Sequence, residues 1–242
     1  MDYWASFGAS VIGPGHITAG KPNQDSWSAF HRSFCKGIVV SDGLGSKDYS
    51  HFGSSAACLA VERAAFGMWV DGSEGPDGDF LDNVRDYWLE YIEPLEPRSA
   101  AATCLFALIY DSKVWLGMLG DGCAAAVKND GSVVYLSDDK AGSFSNMTES
   151  LSASVSPDKW RLICLEEGEC QAIVLCTDGV SDDIVGGDNL RGFIKGFAES
   201  KLDMATIAAS RETKDMLENW PTPKHTDDKT IACLLRKGLK DG

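Results

Sequence analysis

The 242-residue sequence lacks the features that mark membrane-embedded and exported chains. No uninterrupted apolar run approaches the ~18 residues that a helix needs to span a bilayer. The amino terminus, Met1 through Ala9, has no basic segment leading into an apolar one and does not look like a signal peptide. The eight cysteines form no CxxC pair, which favours reduced, buried thiols over disulfides or zinc ligands. We therefore expect a cytoplasmic protein.

Basic residues are scarce as well. The chain has 22 lysines and arginines against 36 aspartates and glutamates, which gives a formal net charge of −14. Binding to nucleic acids or anionic membranes requires basic patches, so we expect neither as a partner. The surplus of acid has two interpretations. It is either a solvated surface that aids solubility or a set of carboxylates that hold divalent cations.

Short apolar runs predict strands at residues 4–12, 26–30, 37–40, 102–110, 114–119, 132–136, 160–165, 172–176 and 230–235. Helical periodicity predicts helices at 50–69, 80–92, 189–198 and 204–217. The grouping of strands and paired helices favours an α+β sandwich over alternating βαβ units. No internal repeat or linker is visible, so we expect residues 1–242 to form a single domain.

Two of the predicted helices carry recognisable side-chain patterns. In the first, Phe52, Ala56, Leu59 and Arg63 recur at spacings of three and four. In the second, one stripe contains the apolar residues Leu81, Val84, Trp88 and Ile92. Such spacings are typical of a helix that packs one face against a core.

Asp-Gly occurs seven times, and by itself this dipeptide indicates only a turn. The dipeptides at Asp71, Asp77, Asp130 and Asp241 lie in polar surroundings and need no other explanation. The other three, Asp42-Gly43, Asp121-Gly122 and Asp178-Gly179, directly follow apolar strands. A further acidic pair, Asp227-Asp228, precedes the last strand. Because the end of one antiparallel strand lies beside the start of its neighbour, Asp178 and Asp227 can meet at one rim, where Asp42 can join them.

Carboxylates gathered at one rim repel each other unless a cation neutralises them. Hard oxygen ligands favour Mg²⁺ or Mn²⁺, and four scattered histidines and unpaired cysteines offer little to zinc. The residues alone therefore predict a site for Mg²⁺ or Mn²⁺ at the end of several strands.

The order of these segments resembles that of a known family. The segments are Asn23-Gln24-Asp25, Asp42-Gly43-Leu44-Gly45, Gly120-Asp121-Gly122, Thr177-Asp178-Gly179-Val180-Ser181-Asp182 and Asp227-Asp228-Lys229-Thr230. They look like the successive motifs of the metal-dependent protein phosphatases (the PPM family, type 2C), in particular its compact bacterial branch. The resemblance implies a four-layer α-β-β-α sandwich of two antiparallel sheets flanked by helices, with a metal site at one edge.

The resemblance also implies a role for each matching position. Asp42 corresponds to the carboxylate that bridges two metals, and Gly43 to a glycine whose carbonyl contacts one of them. Asp178 and Asp227 correspond to the other ligands of the first metal. Asp25 corresponds to an acidic position at the second metal, and Asp121 and Asp182 correspond to a looser third site. Two or three Mg²⁺ or Mn²⁺ ions would then activate water to hydrolyse phosphoserine or phosphothreonine in protein substrates, without a phospho-enzyme.

Three positions depart from the family pattern. Gly20 stands where many members have an arginine that holds the substrate phosphate. Lys21 or His16 could supply that charge instead, and His16 could also protonate the leaving group or be an ordinary surface residue. Gln24 and Leu44 occupy positions where eukaryotic members have a glutamate and often a histidine. The segment from Phe144 to Thr148 is either a polar loop or a flap that selects substrates.

Two other functions fit parts of the pattern. A non-catalytic phosphatase-fold sensor or binding module would have lost metal aspartates, but Asp42, Asp178 and Asp227 are all present. A phosphohydrolase with an aspartate nucleophile requires Asp-x-Asp after an early strand, and Leu44 stands at the second position. The sequence leaves the substrate protein and the oligomeric state open.

Overall fold

The computed structural model describes residues 2–137, 148–221 and 226–238. The strands in these ranges are Asp2–Val11 (β1), Asp25–His31 (β2), Lys36–Asp42 (β3), Cys104–Tyr110 (β4), Lys113–Leu119 (β5), Cys123–Lys128 (β6), Val133–Ser137 (β7), Arg161–Glu166 (β8), Cys170–Cys176 (β9) and Lys229–Gly238 (β10). The α-helices are Pro14–Ala19 (α1), Ser50–Val70 (α2), Gly78–Ile92 (α3), Asp178–Ser181 (α4), Gly187–Ser200 (α5) and Thr206–Glu218 (α6).

The strands form two five-stranded sheets. One has the order β1-β10-β9-β6-β7 and the other β2-β3-β4-β5-β8. Every pairing between neighbouring strands is antiparallel. The predicted α+β sandwich of two antiparallel sheets flanked by helices is confirmed.

Side chains alternate between the two faces of each sheet, as the pleat of a strand requires. In β3, Ile38 and Val40 pack in the apolar layer between the sheets, whereas Val39 packs against the helices outside. Helices α2 and α3 cover the outer face of the sheet that contains β3. Helices α5 and α6 cover the other sheet, which completes the four layers.

Three elements were not expected from the sequence. Half of the residues in strand β6 are alanines, which have little intrinsic preference for strands, and the strand forms because β7 and β9 pair with it on both sides. Helix α1 has six residues and α4 has four, too few for a helical period to show. Among the described residues, no helix is both long and apolar enough to cross a membrane.

The two patterned helices differ in which side chains they bury. All four members of the α3 stripe, Leu81, Val84, Trp88 and Ile92, are buried as their spacing suggests. In α2 the small residues are buried instead, while Phe52 and Leu59 are exposed. The spacing of Phe52 and Leu59 is therefore not that of a core-facing stripe.

The small residues of α2 allow a close approach to the chain around Ala100. A Cβ atom added at Gly53 would lie 1.6 Å from the carbonyl oxygen of Ala100. The carbonyl of Gly53 accepts a buried hydrogen bond of 3.0 Å from Nε1 of Trp88 in α3. At Gly67, in the same helix, an added Cβ would meet nothing closer than 3.9 Å.

We expect Gly53→Ala and Gly67→Ala to have opposite effects on stability. At Gly53 the methyl group collides with backbone, which should lower the free energy of unfolding by about 1–3 kcal/mol. At Gly67 it fits and should raise that free energy by about 0.5–1 kcal/mol, because alanine favours the helix. Urea unfolding of both variants measures the difference. Equal effects would show that α2 does not approach residue 100 as closely as described.

Candidate metal centre

Four aspartates lie at one edge of the sandwich, two from each sheet. Asp25 begins β2 and Asp42 ends β3, and the two residues are direct partners in the antiparallel pair. In the other sheet, Asp178 follows the end of β9 and Asp227 precedes the start of β10, which is the neighbour of β9. Strand register thus places each pair side by side.

The two pairs come into contact across the gap between the sheets. The side chains of Asp42 and Asp178 lie close enough for each to change the pKa of the other, and the charge of Asp227 acts on both. Two ionised carboxylates cannot share such a contact unless a proton or a cation lies between them. The edge is therefore a place where positive charge stabilises the fold.

Burial is the main cause of the unusual protonation behaviour of this cluster. Burial raises the pKa of Asp25 to about 8. It also raises the pKa of Asp178 to about 6, and the negative charge of Asp121 adds to this second shift. Burial also raises the pKa of Asp42 well above its usual range, with added repulsion from Asp25 and Asp178. Each shift reflects the cost of an uncompensated negative charge away from water.

Polar groups next to the strands hold the side chain of Asp25 and the backbone of Asp25 and Asp42. Oγ1 of Thr177 donates a hydrogen bond of 2.9 Å to Oδ2 of Asp25, and the backbone N–H of Asp25 donates to Oδ1 of Asn23 at 3.0 Å. The N–H of Asp42 donates to Oγ1 of Thr103 at 2.9 Å. These partners were not among the predicted site residues, although Asn23 and Thr177 lie within the sequence motifs.

The donor set fits a hard divalent cation. Oδ1 of Asp25 and Oδ1 of Asp178 are buried and have no hydrogen-bond partner among the described residues. A buried acceptor without a partner is costly, so these oxygens favour an additional positive ligand. Because the acidic side chains offer only oxygen, Mg²⁺ or Mn²⁺ suits them better than a soft metal.

Asp121 and Asp182 lie close enough to the cluster to raise the pKa of Asp178. Asp121 is held between Gly120 and Gly122, whose positive φ angles of 101° and 104° belong to a region that glycine adopts readily. It accepts a hydrogen bond of 3.0 Å from Oγ1 of Thr148. Asp182 is exposed at the end of α4. Of the possible flap segment, residues 144–147 lie outside the described residues.

The positions after Asp42 and Asp178 require glycine because a side chain there would collide with neighbouring backbone, and not because of a turn conformation. A Cβ at Gly43 would lie 2.6 Å from the carbonyl oxygen of Ser50, and one at Gly179 would lie 1.9 Å from that of Asp228. The N–H of Gly43 also donates to the carbonyl of Gln24 at 3.0 Å. These Asp-Gly pairs therefore differ from Asp77-Gly78, where the Asp77 side chain caps α3 through the N–H of Phe80.

Asp228 has a structural role that the sequence did not reveal. It is buried, and its two oxygens accept hydrogen bonds from the N–H of Gly13 (2.7 Å), the N–H of Gln24 (2.6 Å) and Nδ1 of His16 (2.8 Å). His16, Asp227 and Asp228 offer possible ligand atoms within 4.8 Å of one another. Because N–H groups already occupy Asp228, we interpret this group as a hydrogen-bonded frame for His16 rather than a separate metal site.

The two candidate phosphate-binding residues differ in their surroundings. His16 lies on α1, mostly buried, with its Nδ1 atom held by Asp228. Lys21 is exposed, and its Nζ atom donates to the carbonyl of Gly45 at 2.9 Å, three residues beyond Asp42. Gly20 ends α1 with a φ of 64°, and the space around its missing side chain is open.

In the absence of divalent cations, we expect the stability of the protein to fall as the pH rises from about 4 to about 8. The folded-state pKa values of Asp178, about 6, and Asp25, about 8, lie above the unfolded value of about 4. Their contribution is complete below the unfolded pKa and is lost as the pH rises through the folded values.

Urea unfolding in chelator at pH 5 and pH 8 measures this loss. Between pH 5 and pH 8, the free energy of unfolding of the Asp25→Asn variant should fall less than that of the wild type. The difference between the two decreases should be on the order of 2 kcal/mol. Asp77→Asn is the matched control, because asparagine caps a helix as well as aspartate does. The same pH dependence in Asp25→Asn and the wild type would contradict the description of the cluster.

Comparisons with known proteins identify the fold and the family of this chain. The chain is similar in structure to a bacterial serine phosphatase (15% identity, TM-score 0.66, 98% of this chain and 100% of that one) and to the photosystem II phosphatase PBCP (12%, 0.68, 98% and 100%). It is also similar to RsbX in complex with magnesium (15%, 0.62, 97% and 96%). At these identities the likeness shows the fold alone, and no curated protein matches by sequence. The profile of the family described as Protein phosphatase 2C matches residues 12–220, and the protein belongs to that family.

Proposed function

We propose that the aspartate cluster is the catalytic centre of a metal-dependent protein serine/threonine phosphatase. The observation that carries this proposal is the meeting of four carboxylates from two sheets, two of which have buried oxygens without partners. Membership of the family supports the reaction, the hydrolysis of phosphoserine or phosphothreonine in proteins. A non-catalytic role is disfavoured because the whole cluster is retained.

We assign the ligands as follows. Asp42 lies between Asp25 and Asp178 and is the best placed to bind two cations at once. Asp178 and Asp227 would hold the first cation together with the carbonyl of Gly43, and Asp25 would help to hold the second. Asp121 and Asp182 are the ligands that we propose for a third, more exposed cation. Mg²⁺ and Mn²⁺ are the candidate ions.

Such cations, when bound, lower the pKa of an attacking water and offset charge on the phosphoryl group. The protein's own groups hold and orient this arrangement. Thr177 fixes Asp25, and Thr103 fixes the backbone of Asp42. With Nδ1 of His16 donating to Asp228, Nε2 is the ring atom that can give a proton to the leaving alkoxide.

A thiol nucleophile is not needed for this reaction, and the cysteines are poorly suited to supply one. All eight are unpaired, and seven are buried. Burial raises the pKa of Cys35 and of Cys58 to about 12, which keeps both thiols protonated and unreactive near neutral pH. These free thiols also support a reducing compartment, so we propose that the protein acts in the cytoplasm.

The expected partners follow from the reaction and the charge. Phosphorylated proteins are the substrates, and the net charge of −14 disfavours nucleic acids and anionic membrane surfaces. A single phosphatase domain over residues 1–242 remains a prediction.

We expect phosphatase activity to require added Mn²⁺ or Mg²⁺ and to survive thiol-blocking reagents. Asp42→Asn and Asp178→Asn should each lower turnover by several orders of magnitude, since each removes a charge that holds a cation and positions the attacking water. Hydrolysis of an aryl phosphate with Mn²⁺, with and without chelator, measures the requirement, and calorimetric titration with Mn²⁺ measures binding separately.

Asp77→Asn again serves as the control and should keep wild-type turnover. Thermal unfolding shows whether each variant is folded. Full activity in chelator, or inactivation by alkylation of a cysteine, would contradict the proposed mechanism. Equal losses at Asp42 and Asp77 would overturn the distinction between the two kinds of Asp-Gly.

Kinetics should distinguish the roles of His16 and Lys21. Loss of a ground-state phosphate contact raises KM, so Lys21→Ala should raise KM several-fold with little change in kcat. Loss of a general acid lowers kcat most for a poor leaving group, so His16→Ala should lower kcat on a phosphothreonine peptide by on the order of 10²-fold and much less on an aryl phosphate. Wild-type kinetics in both variants would show that neither side chain acts on the substrate.

A further inference from the structure

The outward face of α2 is apolar. Six large apolar side chains on or beside this helix each keep between 45% and 60% of their surface exposed: Tyr49, Phe52, Leu59, Phe66, Trp69 and Val70. Aromatic contacts join them at both ends, with ring centroids 6.5 Å apart for Tyr49 and Phe52 and 5.9 Å apart for Phe66 and Trp69. We call these six residues the α2 face. Folded proteins rarely leave so large an apolar patch in water without a partner.

The spacing of the α2 face is symmetrical about Leu59. Phe52 lies seven residues before Leu59, and Phe66 lies seven residues after it. Tyr49 and Trp69 lie ten residues before and after it. A seven-residue apolar repeat is the spacing that keeps side chains in the seam between two packed helices.

This symmetry indicates which partner fits. A two-fold dimer requires a surface that complements itself, so that residue i of one copy meets residue j of the other and the reverse. We propose that the protein forms a homodimer in which α2 packs antiparallel against α2 of a second copy, with Leu59 at the two-fold axis. Phe52 of each copy then lies opposite Phe66 of the other.

The area of the α2 face suits such a dimer. An aromatic side chain can bury roughly 150–250 Å², so half-exposed aromatics together with Leu59 and Val70 present roughly 500–600 Å² per copy. A stable interface buries about 800 Å² per partner, of which the centre is apolar and the rim polar. The α2 face supplies that centre.

The charges beside the α2 face do not oppose pairing. The chain has a net charge of −14. The two charged side chains of α2, Glu62 and Arg63, nevertheless form ion pairs within their own chain. Glu62 lies 2.6 Å from Arg32, and Arg63 lies 2.8 Å from Glu90. In the antiparallel arrangement, the small side chain of Ser55, four residues before Leu59, lies opposite the long Arg63, four residues after it. The guanidinium of Arg63 also lies over the ring of Tyr87 in α3, 4.0 Å from its centroid, which holds this charge against its own chain.

Sedimentation velocity from about 1 to 100 µM, where an interface of this size can dissociate, tests for the dimer. Leu59→Glu places two like charges against each other at the axis and should raise the dissociation constant by at least about 30-fold. Val185→Glu and Ile207→Glu are matched controls, since these side chains are 80% and 70% exposed elsewhere on the surface. Thermal unfolding confirms that each variant is folded.

Cross-linking tests the antiparallel arrangement in a Cys164→Ser background, which removes the exposed native thiol. A short bismaleimide should join Leu59→Cys to itself. Phe52→Cys and Phe66→Cys should cross-link when mixed but not alone, because identical positions would lie about 21 Å apart along the helices.

A wild-type protein that is monomeric throughout this range would overturn the proposal. So would a dimer that Leu59→Glu leaves intact, or self-cross-linking of Phe52→Cys alone. None of these residues belongs to the aspartate cluster, so the result is independent of the proposed catalytic function.

Discussion

The rest of this structure depends on one constraint, which is that several aspartate carboxylates of like charge are packed together away from water. Asp25 and Asp42 are forced together by strand register, and the packing of the second sheet brings Asp178 and Asp227 against them. Burial and repulsion raise the pKa values of Asp25, Asp42 and Asp178, so the folded state gains from any positive charge at this edge. A structure that merely needed solubility would place these carboxylates in solvent.

The surrounding backbone is shaped to maintain that arrangement. Glycine at positions 43 and 179 permits contacts that a Cβ atom would prevent, and Gly13 packs against the carbonyl of Thr226 in the same way. Asp228 then ties the segments before α1 and β2 to the start of β10. Because Asp227 acts on the cluster while Asp228 holds His16, two adjacent residues connect the aspartate cluster to the candidate proton donor.

The sequence predicted those features that depend on local pattern. Apolar runs predicted most strands, and the Asp-Gly pairs after strands predicted that Asp42, Asp178 and Asp227 would meet at one edge of the sandwich, where the structure places them. It did not predict β6, whose alanines become a strand only through their neighbours in the sheet. Nor did it predict the role of Asp228, because three donors from distant segments converge on this residue only in the folded chain.

Helix α2 shows why apolar spacing alone does not reveal which face is inside. The helix packs through Gly53, Ala57, Ala60 and Ala64, which let its backbone approach the sheet and α3 closely. Large side chains along the middle of that face would force the layers apart, so most of the inner face is small and most of the bulky residues point outward. The spacing of Phe52 and Leu59 therefore requires an explanation outside the core of one chain. A symmetrical apolar stripe is what a second copy of the same helix would bury, whereas a purely solvated helix would replace it with polar residues.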